Sequence, residues 1–167
     1  MPSERSARAK AQAMAGYLDP GPKHLNCAQA VMRCGVLAMD QDPELTSVAG
    51  YLGGGMVRMG QVCGALSGTA VALGLRDQLD VQQGPKTSAA TLDWMQELTT
   101  EFESEFGAVT CRELLGCDIR TSKGFREAKR RHALSRCPEY VAWTCDRLNE
   151  ILDGSRSASE SGGGPAE

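Results

Sequence analysis

The stretch Gly53–Gly68, GGGMVRMGQVCGALSG, decides how the rest of the chain is read. Three consecutive glycines stand ahead of a cysteine, Cys63, and the segment then runs on into small and apolar residues. Gly64, Gly68 and Ala72 recur at four-residue spacing, which puts them on one helix face with almost no side-chain bulk. A second helix can pack closely against such a face. The glycine run is different in kind. Gly53, Gly54 and Gly55 can take positive φ and let a backbone or a cofactor approach closely. They read as a fitted loop beside the Cys63 thiol, with Gly53, Gly54, Gly55 and Gly64 as the positions expected to face a cofactor.

Working outward, no segment keeps the two-residue alternation of a half-buried strand, whereas helical signals recur. The pattern predicts helices over Ser3–Tyr17, Cys27 to about Met39, Pro43–Leu52, Gln61–Leu75, Ser88–Phe106, Thr110–Leu115, Thr121–Leu134 and Pro138–Leu152. Asn26 caps the second of these, and Leu92, Met95, Leu98, Phe102 and Phe106 form the apolar stripe of the fifth. The expected fold is all-α, a compact single-domain bundle of about six to eight helices over residues 1–153. The tail 154–167, GSRSASESGGGPAE, is poor in apolar residues and is expected to be disordered.

Composition narrows the function classes. The chain has 167 residues, enough for one domain, and a formal net charge of −3. That balance gives no general attraction to nucleic acid, and no stretch interleaves basic and aromatic residues as a nucleic-acid face would. Arg126–His132, REAKRRH, reads as a local basic helix face. No run approaches the roughly 20 apolar residues of a membrane span. The N-terminal stretch lacks the apolar core of a signal peptide, so the cytoplasm is the expected compartment. There, seven cysteines point to metal or redox use rather than to structural disulfides.

Mapped onto the predicted helices, four of the cysteines fall at helix N-termini. Cys27 follows Asn26, and Asn26 with Gln29 resembles a capping box. Cys111 follows Thr110, with Glu113 completing a second box. Cys137 precedes Pro138, which favours the first helical position and makes Cys137 the cap candidate. Cys63 falls in the first turn after the glycine run. Free N–H groups and the positive end of the macrodipole favour thiolate, so these thiols are expected to titrate below the ordinary value. Cys34 and Cys145 read as core residues, and Cys117 as an auxiliary thiol. The spacings contain no CxxC and match no zinc finger or ferredoxin run, so any metal site would be assembled from separated helices. His24 and His132 lie near cysteines but read more readily as exposed or capping histidines. No P-loop, nucleophile elbow or dinucleotide fingerprint is present.

The segments NCAQAV, GGGMVRMGQVCGALSGTAVALGL, GAVTCRELLGCD and RCPEYVAWTCDRLNEIL together resemble the C_GCAxxG_C_C family of redox-active proteins. The match runs from about Leu25 to Leu152, and the four cysteines of the family pattern correspond to Cys27, Cys63, Cys111 and Cys137. The family is similar to the helical part of split-Soret cytochrome c, which implies an all-α fold. With no CxxCH in the chain, no covalent c-type haem is implied.

These readings converge on a redox-active protein. Cys27, Cys63, Cys111 and Cys137 would hold an Fe–S cluster or another metal ion. Alternatively, Cys63 and Cys111 would cycle as a dithiol/disulfide pair and pass electrons to a partner protein. The rival expectations are a structural zinc module and a helical interaction domain. Sequence leaves open whether the chain is an oxidoreductase or an electron carrier, and a homodimer is compatible with its apolar helix faces.

Overall fold

The structure is a computed structural model, and it describes residues 1–80 and 88–154. The described residues form seven α-helices and one 3-10 helix, with no strand among them. In order these are α1 (Glu4–Leu18), α2 (Cys27–Ala38), the 3-10 helix Pro43–Ala49, α3 (Gly64–Asp80), α4 (Ala89–Phe106), α5 (Cys111–Leu115), α6 (Ser122–Arg130) and α7 (Cys137–Leu152). The fold is all-α. The tail expected to be disordered lies outside the described residues apart from Gly154.

Capping chemistry sets most helix starts. The Asn26 side chain accepts from the Gln29 N–H at 2.9 Å, and Gln29 Oε1 accepts from the Asn26 N–H at 3.1 Å, a complete capping box. Ser3, Ser88, Thr110 and Thr121 cap α1, α4, α5 and α6, each side chain accepting from the backbone N–H three residues on. Gly107 and Gly116, both in the left-handed region, end α4 and α5.

Helix α2 is the centre of the bundle, packed by α1, α3 and α7. Its Ala28, Ala30, Val31, Met32, Cys34 and Val36 are all buried. The small-residue face of α3 meets it. A Cβ on Gly68 would lie 2.5 Å from the Ala28 carbonyl oxygen, and one on Gly35 would lie 2.7 Å from Ala72 Cβ. The two backbones therefore touch without intervening side chains. Between α4 and α7, Phe102 and Phe106 stack edge-to-face with Tyr140 and Trp143, ring centroids 4.8–5.8 Å apart.

Several buried polar groups tie the helices together, although Trp94 Nε1 has no hydrogen-bond partner among the described residues. Asn149 Nδ2 donates to the Ser6 carbonyl at 3.0 Å. Asp77 accepts from Thr91 Oγ1 at 2.7 Å and from the Ser88 N–H at 3.1 Å, which ties α3 to the start of α4. Asp153 accepts from the Ser3 N–H and from the Ser3 and Ser6 hydroxyls, each at 2.9 Å, joining the two ends of the described fold.

The helix predicted to begin at Gln61 begins at Gly64 instead. Residues 61–63 leave the helix because this segment pairs with residues 109–112. Val62 and Thr110 form an isolated antiparallel bridge. Cys63 N–H donates to the Val109 carbonyl (2.8 Å), Cys111 N–H to the Gln61 carbonyl (2.7 Å) and Arg112 N–H to the Gly60 carbonyl (3.2 Å). Cys63 therefore sits one residue before α3 rather than inside its first turn. Its carbonyl accepts from the Leu66 and Ser67 N–H groups at 3.0 and 3.1 Å.

Candidate functional site

The bridge between Val62 and Thr110 sets Cys63 and Cys111 on adjacent chain segments, each a helix start. Cys27 opens α2 and Cys137 opens α7, with Pro138 following it. Cys137 occupies the first helical position rather than the cap, which falls to Arg136 without a side-chain cap bond. All four sulfur-bearing residues line one small cavity of about 20 Å³, closed by Leu114, Leu115 and Tyr140. That volume admits about one water-sized particle.

The glycine loop turns its amides toward sulfur, but toward Cys27 rather than Cys63. The N–H groups of Gly54, Gly64, Ala28 and Cys27 itself all point at the Cys27 thiol. Gly64 makes this possible, because a Cβ there would overlap Cys27 Sγ. Gly53 lies against Asn26, where a Cβ would come within 2.7 Å of Asn26 Cγ, and Gly55 is closed off by the backbone of Gly60 and Gln61. At Cys63, the Ala65 N–H at the start of α3 faces the sulfur.

The loop holds a conformation that local sequence does not announce. Gly54, Gly55, Met56, Val57 and Arg58 are consecutive left-handed residues, with φ of 67°, 69°, 61°, 46° and 64°. The glycines take this without penalty, whereas each side-chain-bearing residue costs roughly 1–2 kcal/mol. The turn is closed by the N–H groups of Gly60 and Gln61 donating to the Gly54 and Gly55 carbonyls at 3.1 and 3.0 Å.

The thiols do not titrate as the helix-terminus argument predicts. All four are raised, and burial is the largest cause in each case. Cys111 is pushed up to about 12 by burial, with Cys27, Cys137 and Cys117 adding repulsion. Cys137 is pushed up to about 11 by burial and then by Cys27, while the Tyr17 hydroxyl and its own N–H pull the other way. Cys63 is raised by burial and by the neighbouring thiols against the Ala65 N–H. Cys27 is raised by burial despite its four amides. Desolvation and crowding of like groups outweigh the helix dipole because the sulfurs face an apolar, closed space. The metal-free site is therefore one of neutral thiols at pH 7.

Soft thiol donors backed by amide N–H groups have the chemistry of a thiophilic metal or Fe–S site. Among the described residues, however, no three His, Cys, Asp or Glu side chains stand at the spacing that holds one ion. The donor set is right in kind and shares one cavity, but its side chains are not drawn in to ligation distance.

The other predicted residues fall in distinct places. Cys34 and Cys145 are buried in the core, their thiols in hydrogen-bond contact, with Cys34 Sγ 3.6 Å from Asn149 Oδ1. Cys117 is half-buried beside Cys111 in a small satellite core formed with Leu115, Ile119, Ala128 and Phe125. His24 stands with its ring 5.9 Å from that of Tyr17, at the edge of a wider cleft above the cysteines. His132 belongs to neither the cavity nor the cleft. Two participants went unread in the sequence. Tyr17 reaches the site only because α1 packs on α2, and the bridge at Val62 and Thr110 joins segments 48 residues apart.

The all-α bundle thus brings four separate cysteine-bearing segments to one cavity. The family profile described as "Putative redox-active protein (C_GCAxxG_C_C)" matches residues 25–151, and the chain belongs to that family. No curated protein and no solved structure matches the chain.

Proposed function

We propose that this chain is a redox protein whose centre is a redox-active thiophilic metal ion such as iron, or an iron–sulfur cluster that would require the cavity of about 20 Å³ to widen, held by Cys27, Cys63, Cys111 and Cys137. One observation carries the reading: sulfurs from four separate elements line one closed cavity, with backbone N–H groups directed at Cys27 and Cys63. Such a group, when bound, supplies one-electron chemistry; the rest belongs to the chain. The four cysteines would give up their protons as ligands, so binding would release protons and rise with pH. The amides of Gly54, Gly64, Ala28 and Ala65 would stabilise negative charge on sulfur and raise the reduction potential. Leu114, Leu115 and Tyr140 would exclude water. In this reading electrons pass to a partner protein, and the compartment is the cytoplasm.

A second reading, a dithiol/disulfide pair, is favoured by the absence of three donors at ion-binding spacing among the described residues. Cys63 and Cys111, which both line the cavity, would be the pair. Formation of the S–S bond would release two electrons and two protons to an oxidised partner disulfide, which becomes two thiols.

Anaerobic purification followed by iron, zinc and acid-labile sulfide analysis tests both. The redox-metal reading expects stoichiometric iron, with acid-labile sulfide for a cluster, that is lost in the Cys27→Ser and Cys63→Ser variants; stoichiometric zinc without iron would instead support a structural zinc module. Metal-free protein that gains one disulfide between Cys63 and Cys111 under mild oxidation would support the second reading. Metal-free protein with unreactive thiols would overturn both.

A further inference from the structure

We propose that the cleft above the cysteine cavity binds a small organic anion with a planar aromatic body. The cleft measures about 600 Å³, within the roughly 300–1,000 Å³ of small-molecule sites. It shares Cys27, Cys111 and Cys137 with the cavity below, so whatever fills it rests on the mouth of the thiol centre.

Charge sets the first part of the ligand class. The cleft wall carries Arg58, Lys129 and His24 and no Asp or Glu, although acids outnumber Lys and Arg in the chain by 21 to 18. Two of the cations converge on one ring: the Arg58 guanidinium stands 4.0 Å and Lys129 Nζ 4.9 Å from the Phe125 centroid. Neither forms an ion pair with a described carboxylate. Two cations gathered on one aromatic ring concentrate positive charge at the cleft wall, and an anion bound there offsets it.

The walls set the second part. Tyr17, Tyr51 and Phe125 line the cleft, and Tyr51 is 81% exposed with its ring uncovered. Aromatic faces beside cations recognise flat, conjugated bodies carrying negative charge. The third observation is the left-handed turn. Met56, Val57 and Arg58 hold positive φ, and the same turn presents Arg58 to the cleft while Gly54 faces Cys27. Backbone strain of this kind gathers at binding sites, where the rest of the structure holds it in place.

The role of such a ligand as the electron-exchange partner of the thiols rests on the redox reading above; its binding does not. Isothermal titration calorimetry with flavin mononucleotide and with anthraquinone-2-sulfonate tests it, with riboflavin and inorganic phosphate as controls. At least one of the two aromatic anions is expected to bind, and whichever binds tells a flavin phosphate from a quinone-like sulfonate. Riboflavin and phosphate should each bind at least about tenfold more weakly than that anion. Arg58→Ala and Lys129→Glu should each weaken binding by about tenfold. Both residues are exposed, so fold is checked by circular dichroism melting. Failure of both anions to bind, phosphate binding as tightly as either, or unchanged binding in both well-folded variants overturns the proposal. Unchanged binding in wild-type protein stripped of metal by a chelator keeps the cleft site and separates it from the fate of the thiol centre.

Discussion

Gly64 lies so close to Cys27 that its missing side chain is what seats the Cys27 sulfur among backbone amides. Helix α3 meets α2 here without a Cβ between them. Gly64→Ala is expected to force the helices apart and to cost about 1–3 kcal/mol. Gly74→Ala, on the same helix with nothing within 4 Å of the added Cβ, should instead stabilise by about 0.5–1 kcal/mol. Urea denaturation of the two variants checks the contrast. Equal effects would mean that the close approach at Cys27 is not what constrains Gly64.

The left-handed turn makes a second prediction. Val57 is β-branched and holds φ 46°. Val57→Gly removes that strain, is expected to stabilise by about 1 kcal/mol, and leaves the hydrogen bonds of the turn in place. Thermal unfolding and amide exchange at Gly60 and Gln61 report it. A loss of stability would show that Val57 contributes packing that exceeds its strain.

Asp153 links acid stability to the joined ends of the bundle. Burial pushes its carboxyl up, but the Ser3 N–H and the Ser6 and Ser3 hydroxyls outweigh this and hold it below the ordinary value. A depressed carboxylate contributes stability above its unfolded pKa of about 3.9 and loses it as pH falls through the lower folded value. Asp153→Asn should therefore cost about 1 kcal/mol from pH 5 to 8, with the gap closing below about pH 4. Stability curves of both proteins across pH measure that closure.

The raised thiols predict the opposite behaviour at alkaline pH. In metal-free protein their stability contribution is complete below the unfolded thiol value of about 8.5. It declines as pH rises further, until Cys137 and then Cys111 ionise in the folded state at about 11 and about 12. Each such thiol contributes a slope of about 1.4 kcal/mol per pH unit in that window. Denaturation between pH 7 and 10 in the presence of a chelator, compared with Cys111→Ser, checks the sign. Alkylation below pH 8 should be slow at all four cysteines.

Much of the fold was legible in the chain because it is written in local chemistry. The Asn26 and Thr110 caps, the apolar stripe of α4 apart from Leu92, which is exposed, and the small-residue face of α3 depend on residues within two or three turns of one another. Local signals also put cysteines at or beside the starts of α2, α3, α5 and α7. The sign of their titration was not legible. A helix N-terminus lowers a thiol's pKa, but burial is a property of the assembled molecule, and here it wins.

Sequence by itself thus determined most of the helices, the Asn26 and Thr110 caps and the family, since these rest on near neighbours and on motif residues. Only the tertiary structure decided that residues 61–63 leave the helix to pair with 109–112, that the glycine loop serves Cys27, and that Tyr17 reaches Cys137. Each of these joins groups far apart in the chain. Their geometry depends on how α1, α3 and α7 close around α2, and no window of sequence contains that packing.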